Sequence, residues 1–327
     1  MQPNIQKATR EGIAKAATVL LEGGLAAFPT ETVYGLGADA TNARAVARVF
    51  EMKGRPTFNP LIAHVPSLVA ATELIDLSPA MLRLAETLWP GPLTLVAQQR
   101  PKTGISDLAT AGLLTLAVRV PSNAPAHTLL TRVGRPIVAP SANTSGRPSP
   151  TQAAHVATDF ADRELFILDD GPCPVGVEST IVGSSEDGQL MLLRPGAVPS
   201  DIIEQISGQP IRRPDHLDKS AKAAPTAPGQ LASHYAPEAT LRLNATHRNP
   251  DELLIAFGPI SGTLAEPGDV ITLSPSGDLT EAATNLFEVL RAIDKTGFTR
   301  AAVMPIPNTG LGEAINDRLT RAAAPRS

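Results

Sequence analysis

Residues 53–64, Lys-Gly-Arg-Pro-Thr-Phe-Asn-Pro-Leu-Ile-Ala-His, set Lys53, Arg55, Asn59 and His64 at a loop that runs into an apolar strand, Leu61–Val65. Two cations, an amide and an imidazole at a strand mouth suit a polyanion such as ATP, and a packing core has no use for them. Read alone, the stretch is equally a solvated turn. A second polar cluster breaks the tie: Ser141-Ala-Asn143-Thr-Ser145-Gly146 follows the apolar run Ile137–Pro140. Hydroxyls, an amide and backbone N–H groups near a glycine can cradle phosphate. Strand ends are also where open α/β sheets bind ligands. The plain alternative is a Ser/Asn turn. Gly176-Val-Glu178-Ser179-Thr180 and Arg194-Pro-Gly196 repeat the theme at two further strand ends.

Arg119 stands in Thr115-Leu-Ala-Val-Arg-Val120, where strand alternation puts Thr115, Ala117 and Arg119 on one face. An arginine among small residues in mid-strand is costly without an anion, and its bidentate fork suits a ligand carboxylate or phosphate. An edge strand whose arginine reaches water is the structural alternative. Residues 28–39, Phe-Pro-Thr-Glu-Thr-Val-Tyr-Gly-Leu-Gly-Ala-Asp, follow the first strand and lead toward a helix. Their Gly35-Leu-Gly37 is an incomplete dinucleotide fingerprint, and no GxxxxGK[ST] phosphate loop occurs. There is no HExxH and no His/Cys pair at ligand spacing. Glu31, Asp39, Asp169, Asp170 and Glu178 are acids that could meet Mg²⁺, but loop acids are usually just solvated, and Mg²⁺ is expected to ride on substrate phosphates. Ser141 and Ser179 lack a His/Asp pattern, which argues against covalent hydrolase chemistry.

The elements that must position these residues alternate along the chain. Expected strands are Gly24–Phe28, Leu61–Val65, Leu93–Ala97, Thr115–Val120, Pro136–Ala139, Leu165–Leu168, Ser179–Val182 and Leu190–Leu193. Helical periodicity marks Ala43–Met52 and Pro79–Leu88, with Asn123–Arg132 and Thr151–Phe160 as further helices. Residues 207–238 carry five prolines among charged and Ala-rich stretches and read as a linker or lid. Beyond it, Leu253–Phe257, Val270–Leu273 and Ala301–Met304 read as strands. Ala282, Leu286, Phe287, Leu290 and Ile293 form an amphipathic stripe, and a second helix covers Glu313–Ala322. The organisation expected is α/β: a domain over 1–206, the linker over 207–238 and a small α/β domain over 239–327.

The bulk numbers fit that plan. A chain of 327 residues holds one large domain or two ordinary ones. Aromatic content of 3% argues against a stacking platform for single-stranded nucleic acid, and a net charge of −4 argues against a broad duplex footprint. No apolar run approaches a membrane span, no signal peptide is visible, and a single cysteine, Cys173, excludes an internal disulfide. A cytosolic setting is expected.

Six blocks together resemble the YrdC-like family of L-threonylcarbamoyladenylate synthases: Phe-Pro-Thr-Glu-Thr-Val-Tyr-Gly-Leu, Lys-Gly-Arg-Pro…Asn-Pro-Leu-Ile-Ala-His-Val, Trp89-Pro-Gly-Pro-Leu-Thr, Ser-Ala-Asn-Thr-Ser-Gly, Gly-Val-Glu-Ser-Thr and Leu-Arg-Pro-Gly. They occur in the family's order between Phe28 and Gly196. His234-Tyr-Ala-Pro237 is similar to the linker of the longer, two-domain form, although Gln230-Leu-Ala-Ser233 before it is less basic than in many relatives.

The resemblance implies a twisted open mixed sheet with a concave, positively charged cleft, followed by a smaller Rossmann-like domain. It implies a nucleotidyltransferase that makes threonylcarbamoyl-AMP and pyrophosphate from L-threonine, bicarbonate or CO₂, and ATP. The product would pass to a tRNA threonylcarbamoyl transferase complex for modification of adenosine in tRNA. By the family's pattern Thr32, His64, Arg119 and Ser179 hold threonine, with Arg119 on its carboxylate. Lys53, Arg55, Asn59, Thr115, Ser141, Asn143 and Arg194 hold ATP, with Lys53 and Arg55 stabilising carbamate and phosphates. Tyr235 closes over the nucleotide, and Mg²⁺ arrives with ATP. The competing reading is a non-catalytic RNA-binding factor using the same basic cleft. A carbamoyl-adenylate enzyme of metal-centre maturation fits poorly, since such proteins carry Cys-rich zinc segments.

Overall fold

The computed structural model describes residues 2–185, 187–213, 227, 233–260 and 269–325. Among these the short apolar runs assemble into two sheets. The larger runs, in spatial order, through Asn4–Lys7, Phe166–Asp169, Ala26–Phe28, Gly35–Asp39, Ile137–Val138, Ile62–His64, Thr115–Arg119, Leu93–Gln99, Thr180–Ser184 and Leu190–Arg194, with Ile75–Asp76 paired beside Leu93–Gln99. Parallel and antiparallel neighbours mix throughout.

Strand alternation sorts the core. Ala27, Leu36, Val118 and Leu95 face the helices Ala43–Lys53 and Pro79–Leu88, where Val46, Val49, Met81 and Leu84 are buried. On the opposite face Ala26, Phe28, Ile137 and Leu168 meet Ile13, Leu20, Leu129 and Leu130 of the helices Arg10–Leu21 and Ala124–Val133. Further along that face Ile62, Val96, Ala117 and Ile181 cluster with Ala227 from the linker. The register then determines what lies next to them: His64 pairs with Arg119 and Arg119 with Thr94. Cross-strand partners project to the same side, so these three polar residues share the floor of one concavity.

Two local devices set the loops. The Ala43–Lys53 helix starts on Asn42, whose side chain accepts from the Arg44 and Ala45 amides. It ends at Gly54 with φ +58°, a left-handed stop that lets the Arg55 amide bond back to the Phe50 carbonyl. Lys53 and Arg55 are thereby held on either side of a fixed turn.

The segment 28–39 departs from expectation. Rather than leading directly to a helix, it contains the buried strand Gly35–Asp39, antiparallel to Ala26–Phe28. Gly37 is therefore not part of a phosphate loop: an added Cβ would sit 2.7 Å from the Phe28 ring and 3.0 Å from the Ala26 carbonyl. The strand Asn4–Lys7 and helix Arg10–Leu21 have no counterpart in the sequence reading, because the helix buries alanines at Ala16 and Ala17, a weak stripe. Of the proposed linker, Ser207 ends the helix Ser200–Ser207 and Gly208 caps it, and Arg212 then bridges to the sheet edge, exchanging backbone hydrogen bonds with Leu190 and Leu192. Residues 214–226 and 228–232 of that linker, including Gln230-Leu-Ala, lie outside the described residues.

The second sheet is wholly parallel, in the order Thr240–Arg242, Arg300–Val303, Leu253–Phe257, Val270–Ser274. Helices Leu279–Ile293 and Leu311–Ala323 cover one of its faces through Leu286, Phe287, Leu290, Ile315 and Leu319. That same apolar cluster takes in Val33 and Val177 from the first sheet's loops, and Tyr235. Charged contacts reinforce the seam: Arg291 grips Asp159 through two bonds of 2.8 Å, and Arg147 meets Asp294 at 2.8 Å.

Candidate active site

A cleft opens over the concave face and is lined by Arg55, His64, Arg119, Ser141, Ser179, Arg194, Tyr235, Glu178 and His234, with Val33 and Ile62 among its apolar walls. Seven of the twelve residues singled out from the sequence thus share one cavity.

Its floor is a polar chain. Arg119 donates from NH1 to the Thr32 hydroxyl at 2.9 Å, and Thr32 shares a 2.8 Å hydrogen bond with Thr30. The anion expected beside Arg119 is supplied from within: Glu31 Oε1 stands 2.7 Å from NH2, with both side chains under a tenth exposed. Arg119 therefore does not depend on a ligand for its counter-charge. NH1 and NH2 each carry a second N–H. His64 makes its Nδ1 bond to the Ile62 carbonyl at 3.1 Å. A carbonyl can only accept, so Nδ1 carries the proton and Nε2 is the acceptor. Burial, then the Arg119 charge, lowers this imidazole to about 3, so it is neutral at physiological pH. Beside it the Ser179 and Thr94 hydroxyls lie 2.8 Å apart.

The cationic wall is made of backbone-anchored side chains. Arg194 donates from NH2 to the Ser179 carbonyl at 2.8 Å and hydroxyl at 3.2 Å. Arg55 donates to the Asn59 carbonyl at 3.2 Å and the Pro60 carbonyl at 2.9 Å. Lys53 donates from Nζ to the carbonyls of Ser141 and Asn143, and its own carbonyl accepts from the Ser145 amide. Burial lowers all three cations, Arg55 to about 10 and Lys53 well below its ordinary range. Carbonyl dipoles, not carboxylates, are their nearest bonding partners, which leaves positive charge for an anion to neutralise.

Five expected residues stand off the cleft. Thr32 lies one bond behind Arg119. Lys53 and Asn143 lie behind Ser141, so Lys53 holds the 141–145 loop instead of lining the cavity. Asn59 is buried behind Arg55, with neither side-chain amide atom partnered among the described residues. Thr115 opens its strand opposite Gln98, four residues before Arg119 and outside the cleft lining.

The sequence reading missed four participants. Glu31 and Glu178 figured only as loop acids, yet both are buried in ion pairs; Glu178 Oε2 accepts from Arg318 Nε at 2.8 Å and Oε1 from the Ser149 hydroxyl at 2.6 Å. His234 packs 4.1 Å from the Tyr235 ring centroid, and burial lowers it to about 3. Arg318 was legible in principle: it sits between Ile315, Leu319 and Ala322 on an apolar helical stripe, where a charge is out of place without a partner. Tyr235 adopts φ +64° and stacks toward Phe287 at 5.4 Å, so the linker's end is pinned by the second sheet's helix.

Among the described residues no group of three or more His, Cys, Asp or Glu is placed to hold a metal ion. The nearby acids are spoken for: Glu31 by Arg119, Glu178 by Arg318, Asp39 by Arg135 and Thr41, Asp169 by Lys7 and Asp170 by Asn123. The donor set does not fit a resident ion. Among the described residues no helix is long and apolar enough to cross a membrane.

Comparison with known proteins supplies the context. The family model described as telomere recombination, covering Sua5, YciO and YrdC proteins, matches residues 18–196. The model described as threonylcarbamoyl-AMP synthase, C-terminal domain, matches residues 198–324. The chain is 38% identical to a threonylcarbamoyl-AMP synthase of Bacillus subtilis over 96% of this chain and 93% of that protein. It is 41% identical to one of Pyrococcus abyssi over 95% and 94%. The crystal structure of P. abyssi Sua5 complexed with L-threonine superposes with a TM-score of 0.87 at 37% identity, covering 99% of this chain and 98% of that one. Escherichia coli YciO, at 19% identity and TM-score 0.52, shares the fold over 60% of this chain.

Proposed function

The chain belongs to the two-domain Sua5 family of threonylcarbamoyl-AMP synthases, and from that premise we propose that it makes threonylcarbamoyl-AMP from L-threonine, bicarbonate or CO₂, and ATP. The observation that carries the reading is the cleft itself: buried Arg119, His64 and Ser179 on one sheet face, next to Arg55 and Arg194 without carboxylate bonding partners. The first set suits an amino acid's carboxylate and hydroxyl, the second a polyphosphate.

In this reading Arg119 takes the threonine carboxylate with its remaining N–H groups, and Thr32 and Glu31 hold the guanidinium in place. Neutral His64 presents Nε2 as an acceptor to the threonine hydroxyl or ammonium, and Ser179 adds a hydroxyl. The threonine amine combines with bicarbonate to give a carbamate and water. A carbamate oxygen then attacks the α-phosphorus, and pyrophosphate leaves. Arg55, Arg194 and the Ser141 loop braced by Lys53 stabilise the charge that develops on the phosphates. Positioning and electrostatics carry such a displacement, and no protein nucleophile is required. Magnesium is part of the MgATP substrate, as the engaged carboxylates suggest. Transfer onto tRNA adenosine would be the work of a partner transferase complex.

Pyrophosphate release that requires both threonine and bicarbonate, with an AMP adduct of the right mass by chromatography, is the expected result. No threonine-dependent release, from folded protein with Mg²⁺ present, would overturn the reading, and no release at all would favour an RNA-binding factor.

A further inference from the structure

Arg318 belongs to the helix Leu311–Ala323 of the second sheet, yet its side chain is wholly buried against the loops of the first. Its Nε donates to Glu178 Oε2 at 2.8 Å, and its NH1 donates to the Pro195 carbonyl at 2.9 Å and to Asp317 at 2.7 Å. Its guanidinium carbon lies 5.4 Å from the Tyr235 ring centroid. One side chain thus joins the loop before Ser179, the loop after Arg194 and the end of the linker, three segments that line the cleft.

The electrostatics of the cleft turn on this contact. Glu178 is the carboxylate among the cleft-lining residues, and Arg194, which grips the very next residue, Ser179, feels its charge. Burial pushes the Glu178 carboxyl up, but the Arg318 and Arg194 charges and the Ser149 hydroxyl reverse this and hold it at about 2. Glu178 is therefore ionised. An ionised buried carboxylate must be paired. Arg318 is already committed to it at hydrogen-bond distance, whereas Arg194 is bonded to a carbonyl and a hydroxyl.

We propose that Arg318 is a positioning residue supplied by the second domain: by neutralising Glu178 it keeps that carboxylate off Arg194 and leaves the Arg194 guanidinium free for the phosphates of ATP. The inference rests on the proposed ATP-binding role of Arg194. It also gives the second domain a part in the reaction, since without it Glu178 would face Arg194 alone. Asp317 does not substitute for Glu178, because it keeps Arg321 as a second partner at 3.0 Å.

The test is a charge-cancelling pair in the full-length protein: Arg318→Met, Arg318→Lys and the double variant Arg318→Met/Glu178→Gln. ATP affinity is measured by calorimetry, and the KM values for ATP and threonine from pyrophosphate release. Arg318→Met is expected to weaken ATP binding by about tenfold or more, the scale of one lost charge-assisted phosphate contact, with a smaller change in threonine KM. The double variant, which leaves no uncompensated carboxylate, is expected to recover ATP binding to within about threefold of the parent. Arg318→Lys keeps the charge and is expected to fall between. Because the double variant buries no unpaired charge, it supplies a folded comparator if Arg318→Met alone unfolds; recovery of fold and ATP affinity together still supports the proposal. ATP binding unchanged in Arg318→Met, or equally poor in both variants, would overturn it, since a loss caused by missing packing volume is not repaired by removing the carboxylate charge. Absence of threonylcarbamoyl-AMP from the parent protein would instead overturn the proposed reaction, a separate result from the same assay.

Discussion

Arg119 and Glu31 form an ion pair in the floor of the cleft, 2.7 Å between NH2 and Oε1, with both side chains under a tenth exposed. The strand supplies the arginine and the loop after Phe28 supplies the acid. Arg119→Ala leaves Glu31 buried without its counter-ion, a change expected to destabilise the fold by about 3–5 kcal/mol. Denaturant titration should show most of that loss restored in Arg119→Ala/Glu31→Gln. Threonine-dependent pyrophosphate release should stay lost in both. A double variant that regains the threonine response would reduce Arg119 to a structural role.

Acid should weaken the protein through its buried imidazoles. His64 and His234 are each lowered by burial to about 3 from an ordinary 6.5. Between those values the unfolded chain binds more protons than the folded one, so stability is fully present above about pH 6.5 and is lost as pH falls below it. The slope approaches about 1.4 kcal/mol per pH unit for each histidine. Denaturation midpoints measured from pH 6.5 down to 4.5 should decline steadily, and His64→Asn should make the slope shallower, with His234 and His155, also lowered by burial, carrying the remainder. A profile that is flat in that window would contradict the buried, neutral state of these rings.

Lys53 should behave as a brace. Lys53→Met removes the donor to two loop carbonyls and is expected to cost at least about 2 kcal/mol. The KM for ATP should rise more than that for threonine, because the loop it holds carries Ser141. Lys53→Arg should not rescue, since a planar fork replaces a point donor in a closed space. Full activity in Lys53→Arg would show that charge alone suffices at this position.

Gly176 fits the loop bearing Glu178 against the helix Leu279–Ile293. Its φ is +79°, and an added Cβ would lie 2.3 Å from the Thr284 Cα and 2.4 Å from the Ala283 carbonyl. Gly176→Ala must therefore shift backbone, in a conformation that L-residues rarely adopt, for about 1–3 kcal/mol or more. Hydrogen exchange should show lost protection in Leu279–Ile293, with activity falling in parallel. Unchanged exchange would mean that the two sheets pack independently.

The sequence by itself determined the elements and the chemistry they carry. Alternation in Thr115–Arg119 put Arg119 on the face away from Leu116 and Val118, and periodicity located Ala43–Lys53 within one residue and the buried stripe Ala282–Ile293 of the helix Leu279–Ile293. Local signals suffice there because burial of one face is written every second or every third to fourth residue. Only the tertiary structure decided which polar groups face each other. Glu31 and Arg119 are 88 residues apart in sequence, and Glu178 and Arg318 are 140 apart; nothing local in a loop acid announces a partner so remote. The strand at Gly35–Asp39 was hidden for a related reason. Its glycines read as an incomplete dinucleotide fingerprint, whereas in the fold Phe28 and Ala26 crowd against Gly37 and leave no room for a side chain. Lys53 read as a phosphate ligand by type, and only the fold shows its ammonium donating to the Ser141 and Asn143 carbonyls, 88 and 90 residues away in sequence.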